Sequence, residues 1–169
     1  MSRPRPDEAH EFYHAYIERV SDGDIVDLLE RQFERTATQL AGFGETRGDH
    51  RYAPGKWSVK QVVGHLIDSE RMFGYRAFHI ARGDPHPLPS FEQERYVSGA
   101  DFEGRSLSGL TEEWRAVRAA HLALFRTFSD GELGRTGVAA DCSFTVRSLL
   151  YIMAGHELHH GEVLRMRYS

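Results

Sequence analysis

The chain has 169 residues and a formal net charge of −4 with its histidines neutral, and 40% of its residues are hydrophobic. That length suits one well-buried domain spanning residues 1–169, and the negative charge argues against a nucleic-acid-binding protein. The sequence has neither the apolar run of a membrane span nor that of a signal peptide, so we expect a cytoplasmic protein. A lone cysteine, Cys142, excludes an internal disulfide and a cysteine-rich zinc site.

The N-terminal part of the chain is expected to precede the main helical body. Residues 1–22 form an extension in which one short helix is predicted around 8–20. The first long helix is predicted over 24–43, because apolar residues recur there with a helical period. Asp24 can cap its start, and Gly42 and Gly44 lie where the helix should end.

The second predicted helix has the clearest start signal in the sequence. Ser58 and Gln61 form a capping box, and the helical pattern continues to about residue 82. Two more helices are predicted over 108–128 and 145–166, each with one apolar stripe. Strand signals are weak, so four helices of about 20 residues predict an all-α four-helix bundle.

The connection between the second and third helices, residues 83–107, is long enough to cross the whole bundle. By the rise of an α-helix, His65 lies about 10 Å from the start of the second helix. His156 and His160 lie about 12 Å from the end of the fourth helix by the same rise. These levels coincide only if the two helices are antiparallel. The crossover therefore predicts an up-down-down-up bundle that brings the three histidines together.

The histidines of the fourth helix suggest a metal site. His156 and His160 are four residues apart and point the same way from the apolar stripe. A buried, unpaired imidazole is costly, although the spacing alone favours a metal site and a pair of core histidines equally. His159 could replace one of the two. Among candidates for a third ligand, His121 lies nearer the middle of its stripe, but its level along the bundle favours His65.

Residues 156–160 also match the H-E-x-x-H signature of zinc proteases, in which Glu157 would act as the general base. Only nine residues follow His160, and they include no further histidine. Glu162 is the one carboxylate among them, and its position on the helix points it elsewhere. We therefore disfavour a protease.

Two further side chains have open interpretations. Glu70 lies on the apolar stripe of the second helix, where it could orient a ligand imidazole or pair with a buried arginine such as Arg76 or Arg118. Cys142 is expected in the turn before the fourth helix, and nothing in the sequence activates it. We interpret it as chemically inert.

Three segments carry a combination of features found in one known family. They read GKWSVKQVVGHLIDSERMFGYRAFHIARGD, PLPSFEQERYV and RSLLYIMAGHELHHGEVLRMRY. Together with the opening GDIVDLLERQ, they make the chain from about residue 16 onward resemble the DinB/YfiT-like superfamily of metal-binding four-helix bundles. In that family one histidine of the second helix and two of the fourth bind a divalent metal, which here implies His65, His156 and His160.

The resemblance also implies an up-down-down-up bundle, frequent dimerisation and, in characterised members, chemistry that depends on low-molecular-weight thiols. We therefore expect a divalent ion, zinc or nickel, a small-molecule substrate, no nucleic-acid or membrane partner, and a homodimer. The first functional hypothesis is a metal-dependent thiol transferase, in which the metal lowers the pKa of the thiol. The second is a non-catalytic, stress-related module with a structural metal. The least favoured is an H-E-x-x-H metallohydrolase.

Overall fold

The computed structural model describes residues 2–168, and most of this range is helical. In chain order the α-helices and β-strands are α1 (His14–Ile17), α2 (Ile25–Phe43), α3 (Val59–Ala81), α4 (Gln93–Gly99), α5 (Leu107–Phe125), α6 (Asp130–Leu133), β1 (Thr136–Ala139), β2 (Cys142–Thr145) and α7 (Val146–Arg167). The long helices α2, α3, α5 and α7 form the predicted four-helix bundle. None of the helices described between residues 2 and 168 has the length and apolar character needed to cross a membrane.

Local capping explains where the long helices begin. The Asp24 carboxylate accepts hydrogen bonds from the backbone amides of Val26 and Asp27 at the start of α2. Ser58 and Gln61 form the predicted reciprocal capping box at the start of α3. Since these caps can be read from the sequence, the predicted and observed starts of α2 and α3 agree within a residue.

Polar contacts between helices report their relative directions. Residue numbers increase together along α2 and α7 in the hydrogen-bonded pairs Gln32–Ala154, Thr36–Glu157 and Gln39–Gly161. Along α2 and α5 the order is opposite: Glu30 pairs with Arg126, the residue directly after α5, and the later Glu34 pairs with the earlier Arg115. Helices α2 and α7 thus run in the same direction, and α5 runs against α2. These contacts are consistent with an up-down-down-up path.

The hydrophobic core consists of two clusters, one towards each end of the bundle. On α5, for example, Trp114 belongs to one cluster and Phe125 to the other. Buried polar side chains lie between these positions in all four long helices: Gln32, Glu70, Arg118, His156 and Glu157. We call these five residues the polar layer. The candidate site lies at the level of this layer.

The structure corrects two expectations for the segment before α7. Strands β1 and β2 form an antiparallel hairpin, where the sequence showed only weak strand signals. Its two turn residues, Ala140 and Asp141, have φ of 51° and 58°, as a tight hairpin turn requires. Cys142 lies in β2 and not in the turn before the helix. Four-residue strands are too short to produce a clear alternating pattern, which is why the hairpin was missed.

The N-terminal extension contains α1 and two 3₁₀ turns, and it is fastened to the bundle. Glu8 is buried and accepts hydrogen bonds from Thr145 and from the Arg147 guanidinium. Helix α1 packs on α7 so closely that a Cβ atom at Gly155 would collide with the backbone carbonyl of Tyr16. This contact holds α1 beside the histidines of α7.

Candidate metal centre

The three histidines predicted as ligands meet between α3 and α7. The Nε2 atom of His156 lies 3.1 Å from Nε2 of His65 and 3.2 Å from Nε2 of His160. The candidate ligand atoms of the three side chains all lie within 4.8 Å of one another. The structure therefore brings these residues together in a group that could hold a metal ion.

The chemistry of this group fits a divalent metal. For zinc–nitrogen bonds of 2.0–2.1 Å, the edge between two nitrogen ligands of a tetrahedral site is about 3.3 Å long, close to the two measured Nε2 distances. Burial lowers the pKa of His65 to about 4. Burial and the neighbouring histidines lower the pKa of His160 to about 3 and that of His156 well below its ordinary value. The imidazoles are thus neutral near pH 7, as metal ligation requires.

Neighbouring side chains fix the positions of the imidazoles. The hydroxyl of Ser69 lies 3.4 Å from Nδ1 of His65, and the Trp57 ring lies 4.8 Å from the His65 ring. The Tyr16 ring contacts the His156 ring edge-on at 5.6 Å. These contacts restrict ring rotation and preserve the direction of the Nε2 atoms.

The two alternative histidines lie outside the group. His159 packs its ring against Tyr16 at a centroid distance of 5.7 Å. His121 stacks on Phe125, and its Nδ1 atom lies 3.5 Å from a carboxylate oxygen of Glu70. The height of a histidine along the bundle axis therefore predicted which one lies near His156 and His160 better than its position within the apolar stripe did.

Glu70 takes part in a buried ion-pair network rather than contacting a ligand imidazole. Arg118 donates to both oxygens of Glu70, at 2.6 and 2.9 Å, and Trp114 donates to the same carboxylate. Burial alone would raise the pKa of Glu70, but Arg118 and the hydrogen bonds lower it to about 2. Of the two arginines considered from the sequence, Arg118 is the partner.

Glu157 is part of the same network, and this bears on the H-E-x-x-H motif. One of its carboxylate oxygens accepts a hydrogen bond from Thr36 at 2.6 Å, and the other accepts one from Arg118 at 2.8 Å. Its side chain is almost completely buried. Both oxygens are thus engaged on the side of α2 and α5, which does not favour a role as general base at the histidine group.

A pocket of about 390 Å³ lies against the histidine group. Its walls come from the N-terminal extension, α3, α7, the 83–107 connection and the hairpin turn. The lining residues include His65, His156, Tyr13, Tyr16, Arg76 and Phe91. Sequence reasoning did not place Tyr13, Tyr16 or Arg76 at the site. The aromatic-rich run EFYHAY at 11–16 was the one available signal.

A four-helix bundle with three converging histidines, two on one helix and one on another, defines a class of candidate metalloproteins. The comparison with protein families is specific: the model of the DinB superfamily matches residues 28–164. The chain belongs to the DinB superfamily, as its resemblance predicted.

Two curated relatives carry names that refer to a metal. "Putative metal-dependent hydrolase YfiT" of Bacillus subtilis (strain 168) is 24% identical over 138 residues, covering 80% of this chain and 77% of YfiT. A protein of Bacillus mycoides (strain KBAB4) with the same description is 25% identical over 160 residues, covering 86% of each chain. The match to the DinB superfamily, residues 28–164, includes the positions of all three histidines.

Solved structures support the fold. The structure of YfiT, described as having an unusual four-helix bundle topology, matches with a TM-score of 0.70 at 21% identity and covers 97% of this chain and 92% of YfiT. A mycothiol-dependent maleylpyruvate isomerase matches with a TM-score of 0.70 at 11% identity, covering 86% of this chain and 61% of the isomerase. At these identities the likeness concerns the fold alone.

Proposed function

We propose that this protein is a divalent-metal-dependent enzyme acting on a small molecule, with His65, His156 and His160 as the metal ligands. The observation that carries the proposal is the convergence of three neutral imidazoles beside a pocket. A purely structural metal site would instead be closed by a fourth protein ligand. Imidazole ligands suit zinc and nickel among the available divalent ions.

A divalent ion bound by these ligands would supply Lewis-acid chemistry and would lower the pKa of a coordinated water or thiol. The protein's own residues supply the rest of the site. Ser69, Trp57 and Tyr16 hold the imidazoles in place. Tyr16 and Phe91 line the pocket with aromatic surface, which limits the access of water to the reacting groups.

The reaction we propose is transfer of a low-molecular-weight thiol to an electrophilic carbon: a sulfur–carbon bond forms, the bond from that carbon to a leaving group breaks, and the leaving group departs with the electron pair. Among the described residues that line the pocket, the carboxylate is that of Glu92, which is exposed, and Glu157 is engaged by Thr36 and Arg118. A divalent ion at these ligands would lower the pKa of a thiol, ordinarily near 8.5, so that its proton could pass to solvent, and this reaction would need no strong protein base. The mycothiol dependence of the isomerase with the similar fold supports the same choice.

Hydrolysis is the second candidate, and the names of the two curated relatives favour it. In this case Glu92 would have to assist proton transfer from water, since it is the carboxylate at the pocket. Replacing Glu92 with Gln should therefore reduce hydrolysis strongly while leaving thiol transfer nearly unchanged. Measuring hydrolysis and thiol transfer by the Glu92→Gln variant therefore distinguishes the two candidate functions.

The experiment that tests the proposal begins with metal content. Purified protein is incubated with zinc or nickel, desalted and assayed by elemental analysis. We expect about one equivalent of metal, and loss of that equivalent in the variant with alanine at all three histidines. His159→Ala is the matched control, because this histidine lies on the same helix outside the group. Retention of a full equivalent by the triple variant contradicts the ligand assignment.

Loaded protein is then screened with several thiols against electrophiles, and separately with ester and amide substrates. Thiol-dependent product that disappears on chelation, while the fold remains intact, supports the proposed reaction. Loss of the fold on chelation would instead favour a metal that staples α3 to α7 without catalysis.

A further inference from the structure

Arg76 is a buried arginine that has no carboxylate partner among residues 2–168. It lies on α3 one turn after Phe73, whose ring contacts the His156 ring at 5.9 Å. The residue is 2% exposed, yet it lines the pocket beside the histidine group. Its Nη2 atom donates to the carbonyl of Pro89 at 2.9 Å. Its buried Nε atom has no hydrogen-bond partner in the part of the chain that the structure describes.

The other buried arginine described in the bundle, Arg118, shows how carboxylates normally neutralise a buried guanidinium. Arg118 is also 2% exposed, but it forms ion pairs with Glu70 and Glu157. Burial opposes the charge of Arg118, and the two carboxylates raise its pKa. For Arg76, burial lowers the pKa, and a Tyr13 hydroxyl is its main opposing contact. No ion pair of Arg76 occurs within residues 2–168.

An uncompensated guanidinium is expensive to bury, because its hydration is lost without a replacement charge. Arginine nevertheless stays protonated in proteins. A positive charge held in this way at the wall of a pocket becomes favourable when an anion enters the pocket. The free energy lost by burying the unpaired guanidinium in the free protein is thus partly recovered when a negatively charged ligand binds beside it.

We infer that Arg76 binds the carboxylate of the small molecule that reacts at the histidine group. This inference rests on the proposed function for the nature of the site, but the binding itself requires no reaction. The guanidinium presents N–H groups in a fork that matches the two oxygens of a carboxylate. Apart from the proposed metal ion, Arg76 is the one cation that lines the described pocket, where no other lysine or arginine occurs, and it compensates one negative charge. A singly charged carboxylate therefore fits better than a phosphate.

The rest of the pocket indicates what the carboxylate should be attached to. Tyr16 and Phe91 provide aromatic surface, and Tyr13 places a hydroxyl near the guanidinium. A compact acid with an apolar or aromatic body satisfies both features. Its carboxylate would lie at Arg76 and its reactive end would face His65 and His156, which line the same pocket.

The test uses phenylacetate as the probe and phenylacetamide as its uncharged analogue, with binding measured by titration calorimetry. Metal-free and metal-loaded wild-type protein should both bind the acid more tightly than the amide, by about tenfold or more, as expected for a charge-assisted hydrogen bond. Arg76→Met should abolish this preference. Arg71→Met is the matched control, because Arg71 lies on the same helix and pairs with Glu113 at the surface. It should retain the preference.

Several outcomes overturn the inference. One is equal binding of acid and amide by the wild type, and another is an unchanged preference in Arg76→Met. A preference that requires the metal and ignores Arg76 would place the carboxylate on the metal. If Arg76→Met does not fold, Arg76→Gln keeps a donor for the Pro89 carbonyl, and the same preference must disappear there.

The metal measurement keeps this inference separate from the proposed function. Protein that binds no metal at the three histidines but prefers phenylacetate through Arg76 contradicts the proposed function alone. Protein that binds one equivalent of metal but lacks the preference contradicts the carboxylate site alone.

Discussion

At the scale of single residues, Arg118 connects the bundle through charge. It binds Glu70 on α3 and Glu157 on α7, and it also donates to the backbone carbonyl of Leu29 on α2 at 2.5 Å. Three helices thus depend on one guanidinium carried by a fourth. Because all of these groups are buried, the loss of Arg118 leaves two carboxylates without compensation.

Arg118→Met should therefore lower the free energy of unfolding by about 3–5 kcal/mol, the usual cost of breaking a buried ion pair from one side. Urea denaturation measures this change. Arg115→Met is the control on the same helix, because Arg115 pairs with exposed Glu34 and should cost about 1 kcal/mol or less. Equal effects of the two substitutions would show that the network does not support the fold.

Glu70 makes this network sensitive to acid. Its pKa is about 2 in the folded protein and 4.5 ordinarily, so the folded state binds fewer protons than the unfolded state between these values. Its contribution to stability is complete above pH 4.5 and is lost as pH falls through 2. The difference corresponds to about 3 kcal/mol.

We expect Glu70→Gln to be less stable than the wild type near neutral pH, with the gap shrinking as pH falls below 4.5. Urea unfolding from pH 6 to the lowest pH at which the protein folds would show this. A gap that stays constant over that range would mean that Glu70 is not ionised in the native network.

At the scale of the elements, the seating of α1 on α7 controls one wall of the site. Gly155 permits this seating because its Cα approaches the Tyr16 carbonyl, where a Cβ atom would collide with the backbone. Tyr16 in turn contacts His156. The absence of a side chain at Gly155 therefore allows Tyr16 to pack against His156, a candidate metal ligand.

Gly155→Ala should push α1 away from α7, lower the free energy of unfolding and make the N-terminal extension easier to cleave in limited proteolysis. Gly161→Ala serves as the comparison on the same helix, because its new Cβ would meet an ordinary contact, the Gln39 side chain at 3.8 Å. That variant should be neutral or slightly stabilised by the higher helix propensity of alanine. Identical proteolysis of the two variants would argue against the seating of α1 on Gly155.

The elements also show what could be read from the sequence. The starts of α2 and α3 were accessible because Asp24 and the Ser58–Gln61 box act over a few residues. The β1–β2 hairpin was not, since its strands are short and its pairing is completed by Leu88, far away in the sequence. The three histidines were found because helical spacing and level along a bundle are simple geometry. The role proposed for Arg76 depends on the absence of a carboxylate partner among residues 2–168, which only the tertiary structure reveals.

At the scale of the whole molecule, two apolar clusters are separated by the polar layer, and the histidine group lies at the same level. Each cluster packs residues from several long helices, so the bundle has a substantial core without a metal. An ion at the three histidines would nevertheless join α3 to α7 in the folded state only. Metal binding should thus add stability by mass action.

We expect zinc or nickel at about 1,000 times its dissociation constant to stabilise the protein by about 4 kcal/mol. Thermal melting with and without a chelator measures this shift, and the metal-free protein should still melt cooperatively. The variant with alanine at His65, His156 and His160 should show no shift, whereas His159→Ala should behave like the wild type. A shift that survives in the triple variant would locate the ion elsewhere.

The hairpin turn has a consequence for how substrate choice could change. Ala140 lines the pocket, its backbone amide donates to the Leu88 carbonyl at 2.9 Å, and Leu88 donates back to Val138. The turn and the 83–107 connection are thus fastened to each other through backbone atoms, which are independent of side-chain identity. Side chains along this wall take no part in these backbone hydrogen bonds, although the positive φ of Ala140 restricts the choice of residue at the turn. Under the proposed function, a change of substrate would therefore require new side chains on this wall and no new fold.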